Sequence, residues 1–172
     1  KKQGIYYTPT YIVDYIVRNT LEELLKNKKI DVERIRVLDP ACGSGSFLIK
    51  AFDVLNEYHL KNDKNYAQSQ LDLKTGAIFT KKARILQNNI FGVDLDKQAV
   101  EIAQLNLLLK IAERGYRLPL LEQNIKRGNS LIDDTKIAGN KAFRWEREFK
   151  EIIEHGGFDV IIGNPPYVEY NK

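Results

Sequence analysis

Apolar residues recur at three- and four-residue spacing through Ile12, Val13, Ile16, Val17, Leu21, Leu24 and Leu25, the stripe of a helix packed on one side. Thr8 and Pro9 stand just before it, which predicts Thr8 as the N-cap and Pro9 as the first helical residue. The polar stretch 27–31 ends that helix. Residues 35–39 read as a short buried strand, 41–45 as a tight glycine-containing turn, and 46–59 as a second helix with Phe47, Leu48, Ala51, Phe52 and Leu55 on one face. Residues 61–80 are polar and weakly patterned, which predicts an insertion with one short helix. Beyond them, 90–94 reads as a second strand and 97–113 as a strong helix ended by Gly115. A weak third strand follows at 124–128, a helix at 143–155 closed by Gly156 and Gly157, and a fourth strand at 158–163. Strands that alternate with helices predict an α/β fold, a parallel sheet with helices on both faces.

Composition narrows this picture without redirecting it. A chain of 172 residues suits one domain with a sizeable core. No apolar run approaches the roughly 20 residues of a membrane span, and no secretory signal precedes the domain, so a cytoplasmic protein with no membrane partner is expected. The sequence begins at Lys1 and contains no methionine, which predicts a piece of a longer protein. The net charge of +4 is compatible with a polyanionic partner but does not demand one. Lys26, Lys28 and Lys29 cluster, as do Lys81, Lys82 and Arg84, and both groups read first as solvated helix ends or loops. The single cysteine, Cys42, excludes an internal disulfide and a multi-cysteine zinc site, and no metal site is expected.

The stretch VLDPACGSGSFL at 37–48 runs strand, turn, helix, and ligands of such sheets bind at the carboxyl ends of strands. Gly43 and Gly45 let the backbone turn sharply and approach a ligand. A phosphate-binding P-loop needs Lys-Ser or Lys-Thr after its last glycine, whereas Ser46 and Phe47 follow Gly45. A dinucleotide fingerprint needs a small residue where Leu48 stands. The loop opens on a carboxylate, Asp39, which repels a pyrophosphate and suits an amino group. Cys42 reads as a small residue fitted into the turn, since no histidine lies near it in sequence. The second strand also ends in carboxylates: Asp94 suits the ribose hydroxyls of a nucleoside, and Asp96 suits a helix N-cap before Lys97. Two strand-end carboxylates fit an adenosine that carries an amino acid, as S-adenosylmethionine does.

The last strand runs into Asn164, Pro165, Pro166 and Tyr167. Two prolines make a stiff corner without N–H donors, so the Pro165 carbonyl and the Asn164 side chain are both acceptors for a planar amine. Accepting both hydrogens of an exocyclic amine orients its nitrogen lone pair toward a methyl donor. Tyr167 offers a flat face for a target base, which in duplex DNA must first be flipped out.

With these motifs the chain resembles the N6-adenine DNA methyltransferases of restriction–modification systems, in particular the type IIG, Eco57I-like group whose target-recognition domain follows the catalytic motif. The resemblance covers nearly the whole chain. It implies a Rossmann-like S-adenosylmethionine-dependent methyltransferase fold cut after its fourth strand. It divides the chain into an N-terminal helix with the Thr-Pro motif, 1–30, and a cofactor-binding core, 31–172. The family's YYTP motif implies that Tyr7 and Thr8 hold the methionine part of the cofactor. DPACGSGSFL implies contacts from Asp39, Pro40, Ala41, Gly43, Gly45 and Phe47, with Asp39 facing the amino group. GVDLD implies Asp94 and Leu95 at the ribose, and GNSLI implies that Asn129, Ser130 and Leu131 cap the adenine ring, with Asn129 where Asp is usual. The four residues Asn164 to Tyr167 are then the catalytic motif. The implied partner is double-stranded DNA, engaged through a target-recognition domain not present in these residues, in a bacterium or archaeon, with a nuclease domain or subunit possible in the parent protein. Efficient methylation by this piece alone is not expected. Methylation of protein glutamine, of RNA adenine or of cytosine N4 meets the same amine logic, and a non-catalytic nucleotide-binding domain is the alternative of another class. The Thr-Pro start and Ala41, where glutamine-methylating enzymes usually carry glycine, favour DNA.

Overall fold

The computed structural model describes residues 8–27 and 30–165. Helix α1 (Thr10–Leu25) buries Val13, Val17, Leu21 and Leu25, the stripe read from the sequence. Its N-cap is Pro9 rather than Thr8, with no side-chain capping bond. The α1 surface docks on α2 (Ser46–Asn62), where Arg18 makes a two-pronged bond to Glu57 at 3.0 and 3.1 Å and Lys50 pairs with Asp14 at 2.8 Å.

Strand β1 (Val37–Asp39) lies at the centre of a parallel sheet. Its neighbours are β2 (Ile90–Asp94) and, on the other side, β4 (Val160–Ile161), while β3 (Ile125–Arg127) flanks β2, giving the order β3-β2-β1-β4. The register pairs Val37 with Ile90 and with Val160. Side chains alternate across the sheet, as the pleat requires. Val37, Ile90, Val160 and Ile162 enter one core with the helices α1, α2, α4 (Thr75–Asn89) and α5 (Lys97–Ile111). Leu38, Phe91 and Val93 enter a second core with Phe143, Phe149 and Ile152. Helices on both faces of a parallel sheet are thus present as expected.

Two further expectations need correction. Residues 61–80 are not a loose insertion: α2 runs on to Asn62, α3 (Lys64–Leu71) follows at once, and α4 begins at Thr75. Asp63 caps α3 by accepting from the N–H groups of Asn65 and Tyr66, and Tyr66, Ile85 and Leu86 are buried. The segment 143–155 is not one helix but two short ones beyond α6 (Thr135–Ala138), namely α7 (Trp145–Glu148) and α8 (Lys150–Glu154), broken at Phe149. Phe149 is turned into the second core, where it stacks on Trp145. Among the described residues no helix is long and apolar enough to cross a membrane.

Candidate active site

Parallel strands bring the segments that follow them to one edge of the sheet. Here that edge gathers the Asp39 loop, Asp94, Gly128 with Asn129, and Gly163 with Asn164.

Asp39 closes β1 and is 1% exposed. Its Oδ1 accepts from the Ala41 N–H at 3.0 Å, and among the described residues no lysine or arginine pairs with it. Burial raises its carboxyl to about 7; the Ala41 bond opposes that shift and the nearby Asp94 charge adds to it. A buried acid without a counter-ion is a ready partner for a cationic group.

The loop after Asp39 is held from behind by α5. Asn106 Nδ2 donates to the Ser44 carbonyl at 3.1 Å, and a Cβ on Gly45 would press on Ala103 Cβ at 3.2 Å. Gly43 and Gly45 both sit at positive φ, 52° and 88°, which glycine adopts without strain. A Cβ added at Gly43 would meet nothing within 4 Å, so this side of the loop is open space for a ligand. Gly45 is the N-cap of α2 and contributes no side-chain bond, so the first N–H groups of a 17-residue helix face the loop. Pro40 and Ala41 are half-buried, whereas Phe47 is turned into the first core at 5% exposure. Cys42 also points inward, and burial together with the Asp39 and Asp94 charges pushes its thiol pKa far up. It packs against Gly92, where a Cβ would come within 2.7 Å of Leu48 and 3.1 Å of Cys42 Sγ.

Asp94 ties the neighbouring loops together. Its Oδ2 accepts from the Gly43 N–H at 2.8 Å and its Oδ1 from the Asp96 N–H at 2.9 Å, while its carbonyl accepts from the Gly128 N–H at 2.9 Å. Each carboxylate oxygen keeps acceptor capacity for a further donor. Asp96 caps α5 by accepting from the Gln98 N–H, as the sequence predicts, and Leu95 beside it is exposed. Asn129 Oδ1 accepts from the Leu131 N–H at 3.1 Å, so this amide first of all shapes its own turn. The Ser130 carbonyl accepts from Trp145 Nε1 at 3.2 Å, and Leu131 is 91% exposed.

The end of β4 closes the site. The Ile162 N–H donates to the Leu38 carbonyl at 2.9 Å. A Cβ on Gly163 would lie 2.5 Å from Asp39 Oδ1, so only a glycine lets this carboxylate rest against the strand that leads to Asn164. Asn164 is half-buried and Pro165 exposed. Asn164 Nδ2 donates to Thr8 Oγ1 at 3.1 Å, which brings the Thr-Pro start and the Asn164 corner together. Tyr7, Pro166 and Tyr167 lie outside the described residues.

Thr8, Asp39, Gly43, Asp94 and Asn164 are therefore linked by short contacts at one edge. Sequence reading misses Gly163, Gly92 and Asn106. The glycine within IFGVD and the one just before Asn164 are the signals available, since an isolated glycine at a strand marks a close approach. A cavity of about 670 Å³ opens at the opposite end of the sheet, lined by Arg34, Arg36, Asn124, Lys126 and Phe149 among others. It contains none of these residues.

Residues 27–113 match the family described as RMKL-like, methyltransferase domain, and residues 88–172 match the family described as Eco57I restriction-modification methylase. The chain is 37% identical, over 94% of its length, to the type II restriction enzyme and methyltransferase RM.Eco57I of Escherichia coli. It is 34% identical, over 77% of its length, to a putative type II restriction enzyme and methyltransferase of Methanocaldococcus jannaschii. It spans only 17% and 15% of those two proteins. Among solved structures, a DrdV–DNA complex matches 97% of the chain with a TM-score of 0.64 at 25% identity, over 14% of that protein. The type ISP restriction-modification enzyme LlaGI matches 96% with a TM-score of 0.64 at 21% identity, over 13% of that protein, and so supports the fold alone.

Proposed function

The chain belongs to the methyltransferases, as an RMKL-like domain whose second half is of the Eco57I restriction-modification type, and from that premise we propose that its parent protein methylates the N6 amine of adenine in double-stranded DNA. The fold is the Rossmann-like methyltransferase α/β fold. The observation that carries the proposal is the packing of the Asp39 carboxylate against Gly163, which places a cation-seeking acid one residue from the acceptor corner at Asn164 and Pro165.

The residues present fit S-adenosylmethionine. Asp39 receives its ammonium group, Asp94 its ribose hydroxyls, and the open side of Gly43 leaves room for its approach. Pro40, Ala41 and Gly45 would shape the wall, Tyr7 and Thr8 would hold the methionine part as the family motif implies, and Leu95, Asn129, Ser130 and Leu131 would take the adenine. Phe47 acts from below by packing. When bound, the cofactor supplies an electrophilic methyl group carried on a sulfonium. The Asn164 side-chain oxygen and the Pro165 carbonyl accept the two hydrogens of the target amine and aim its lone pair. Asn164 is no strong base, so the proton that the amine sheds on gaining the methyl group would pass to solvent water. Tyr167 stacks on the flipped base, and Pro166 stiffens the corner. These residues span 17% of the Escherichia coli relative, so sequence recognition is assigned to the rest of such a protein, in the bacterial or archaeal cytoplasm; a nuclease in the same protein or in a partner subunit fits this function, since the relatives' names pair restriction with methylation.

The test is methyl transfer by the full-length protein from isotopically labelled S-adenosylmethionine to duplex DNA, followed by nucleoside analysis. Label in N6-methyldeoxyadenosine, lost in Asn164→Ala, supports the reading. Label in N4-methyldeoxycytidine, in RNA or in protein glutamine replaces the substrate. Full activity in Asn164→Ala overturns the catalytic role of the corner.

A further inference from the structure

Thr8 stands where a helix cap is expected, yet its hydroxyl serves no cap: the bonds that open α1 run from Ile12 and Val13 to the Pro9 carbonyl. Its hydroxyl instead accepts from Asn164 Nδ2 at 3.1 Å, across 156 positions of sequence. The amide torsion of asparagine is broad and roughly two-fold. Its two settings differ in chemistry, since one face of the group is an acceptor and the other a double donor. A target amine with two hydrogens needs the acceptor. An amide turned the other way sets donor against donor.

We propose that Thr8 is a positioning residue for Asn164: its hydroxyl engages the amide nitrogen and so leaves the amide oxygen for the substrate amine. This rests on the reading of Asn164 as a contact to that amine. The helix behind Thr8 is fixed to the core by Val13, Val17 and Leu21 and to α2 by Arg18 and Lys50, so the hydroxyl is held by a rigid element. A hydroxyl that accepts from Asn164 retains its own proton to donate, which leaves the contact to the cofactor implied by the resemblance compatible with this one.

The experiment compares Thr8→Val, Thr8→Ser, Asn164→Ala and the double variant Thr8→Val/Asn164→Ala in the full-length protein. Single-turnover methyl transfer and the cofactor Kd are measured for each. Positioning predicts that Thr8→Val slows single-turnover transfer about tenfold or more at saturating cofactor, where any change in cofactor Kd no longer counts, and that Thr8→Ser restores it. In the Asn164→Ala background the Thr8→Val change then adds almost nothing, because the two residues act as one unit. A Thr8→Val effect confined to the cofactor Kd, or one that adds in full to Asn164→Ala, overturns the proposal. Asn164→Ala with undiminished transfer overturns instead the reading of the corner on which it rests.

Discussion

Asp39 is a buried acid whose titration bears on stability and, on the proposed function, on cofactor affinity as well. Its carboxyl titrates near 7 because burial disfavours the charge. A raised carboxyl pKa means that the folded state holds the proton after the unfolded chain has released it, so folding stability falls as pH rises from about 4 to about 7. The loss is on the order of 4 kcal/mol for a shift of this size. Replacing Asp39 by Asn keeps the acceptor for Ala41 but removes the charge. Urea unfolding of Asp39→Asn is expected to lose the fall in stability that Asp39 contributes over that range and to show a higher midpoint at pH 8. Cofactor affinity runs the other way, since an ammonium prefers the ionised acid. Calorimetry is expected to find binding about tenfold weaker at pH 6 than at pH 8, with a proton released on binding at the lower pH, and no binding by Asp39→Asn. Gly163 acts on the same carboxylate: Gly163→Ala displaces Asp39 and is expected to weaken cofactor binding at least tenfold, read by the same titration, with circular dichroism unchanged. The gathering of Asp39, Asp94 and Asn164 at one sheet edge was legible in the sequence because each stands at the carboxyl end of a strand. Gly163 and Gly92 were not, because the consequence of an absent Cβ depends on which atom stands opposite.

At the level of elements, legibility followed hydrophobic contrast. β2 and α5 begin where the sequence places them, since a run of buried residues meets Asp94 and the Asp96 cap. The segment 61–80 misled because its helices are not announced by an apolar stripe: Tyr66 is the single buried residue of α3, and the element is set by the Asp63 cap. Joints between elements were hidden as well. Asn124 is 6% exposed and its Nδ2 reaches the carbonyls of Leu86, Gln87 and Ile90, stitching the end of α4 to the start of β2. Asn89 does the same for Val32 and Ile35. Removing such a donor leaves buried carbonyls without a partner, so Asn124→Ala is expected to cost about 2–3 kcal/mol, measured as a shift in the urea midpoint with an unchanged slope.

Across the whole molecule, the sheet separates two cores of unequal reach. The larger takes Ile162 at 5% exposure, while Ile161, one position earlier and facing the other way, is 65% exposed. In this chain of 172 residues, Ile162→Ala is expected to lose about 2–4 kcal/mol and Ile161→Thr less than about 0.5 kcal/mol; equal losses measured by thermal unfolding would mean that the second face is covered at β4. The alternation itself was foreseeable from the sequence, but its uneven burial was not, because a strand of three or four apolar residues carries no record of what covers each side. The chain's lone thiol sits under the ligand loop, sealed by Gly92 and Leu48 and held protonated. It is thereby a natural clock for breathing of that loop: an alkylating reagent can react only as often as the loop lifts, so labelling rate counts openings, and a molecule seated against Asp39 and Asp94 must slow the count without touching the sulfur.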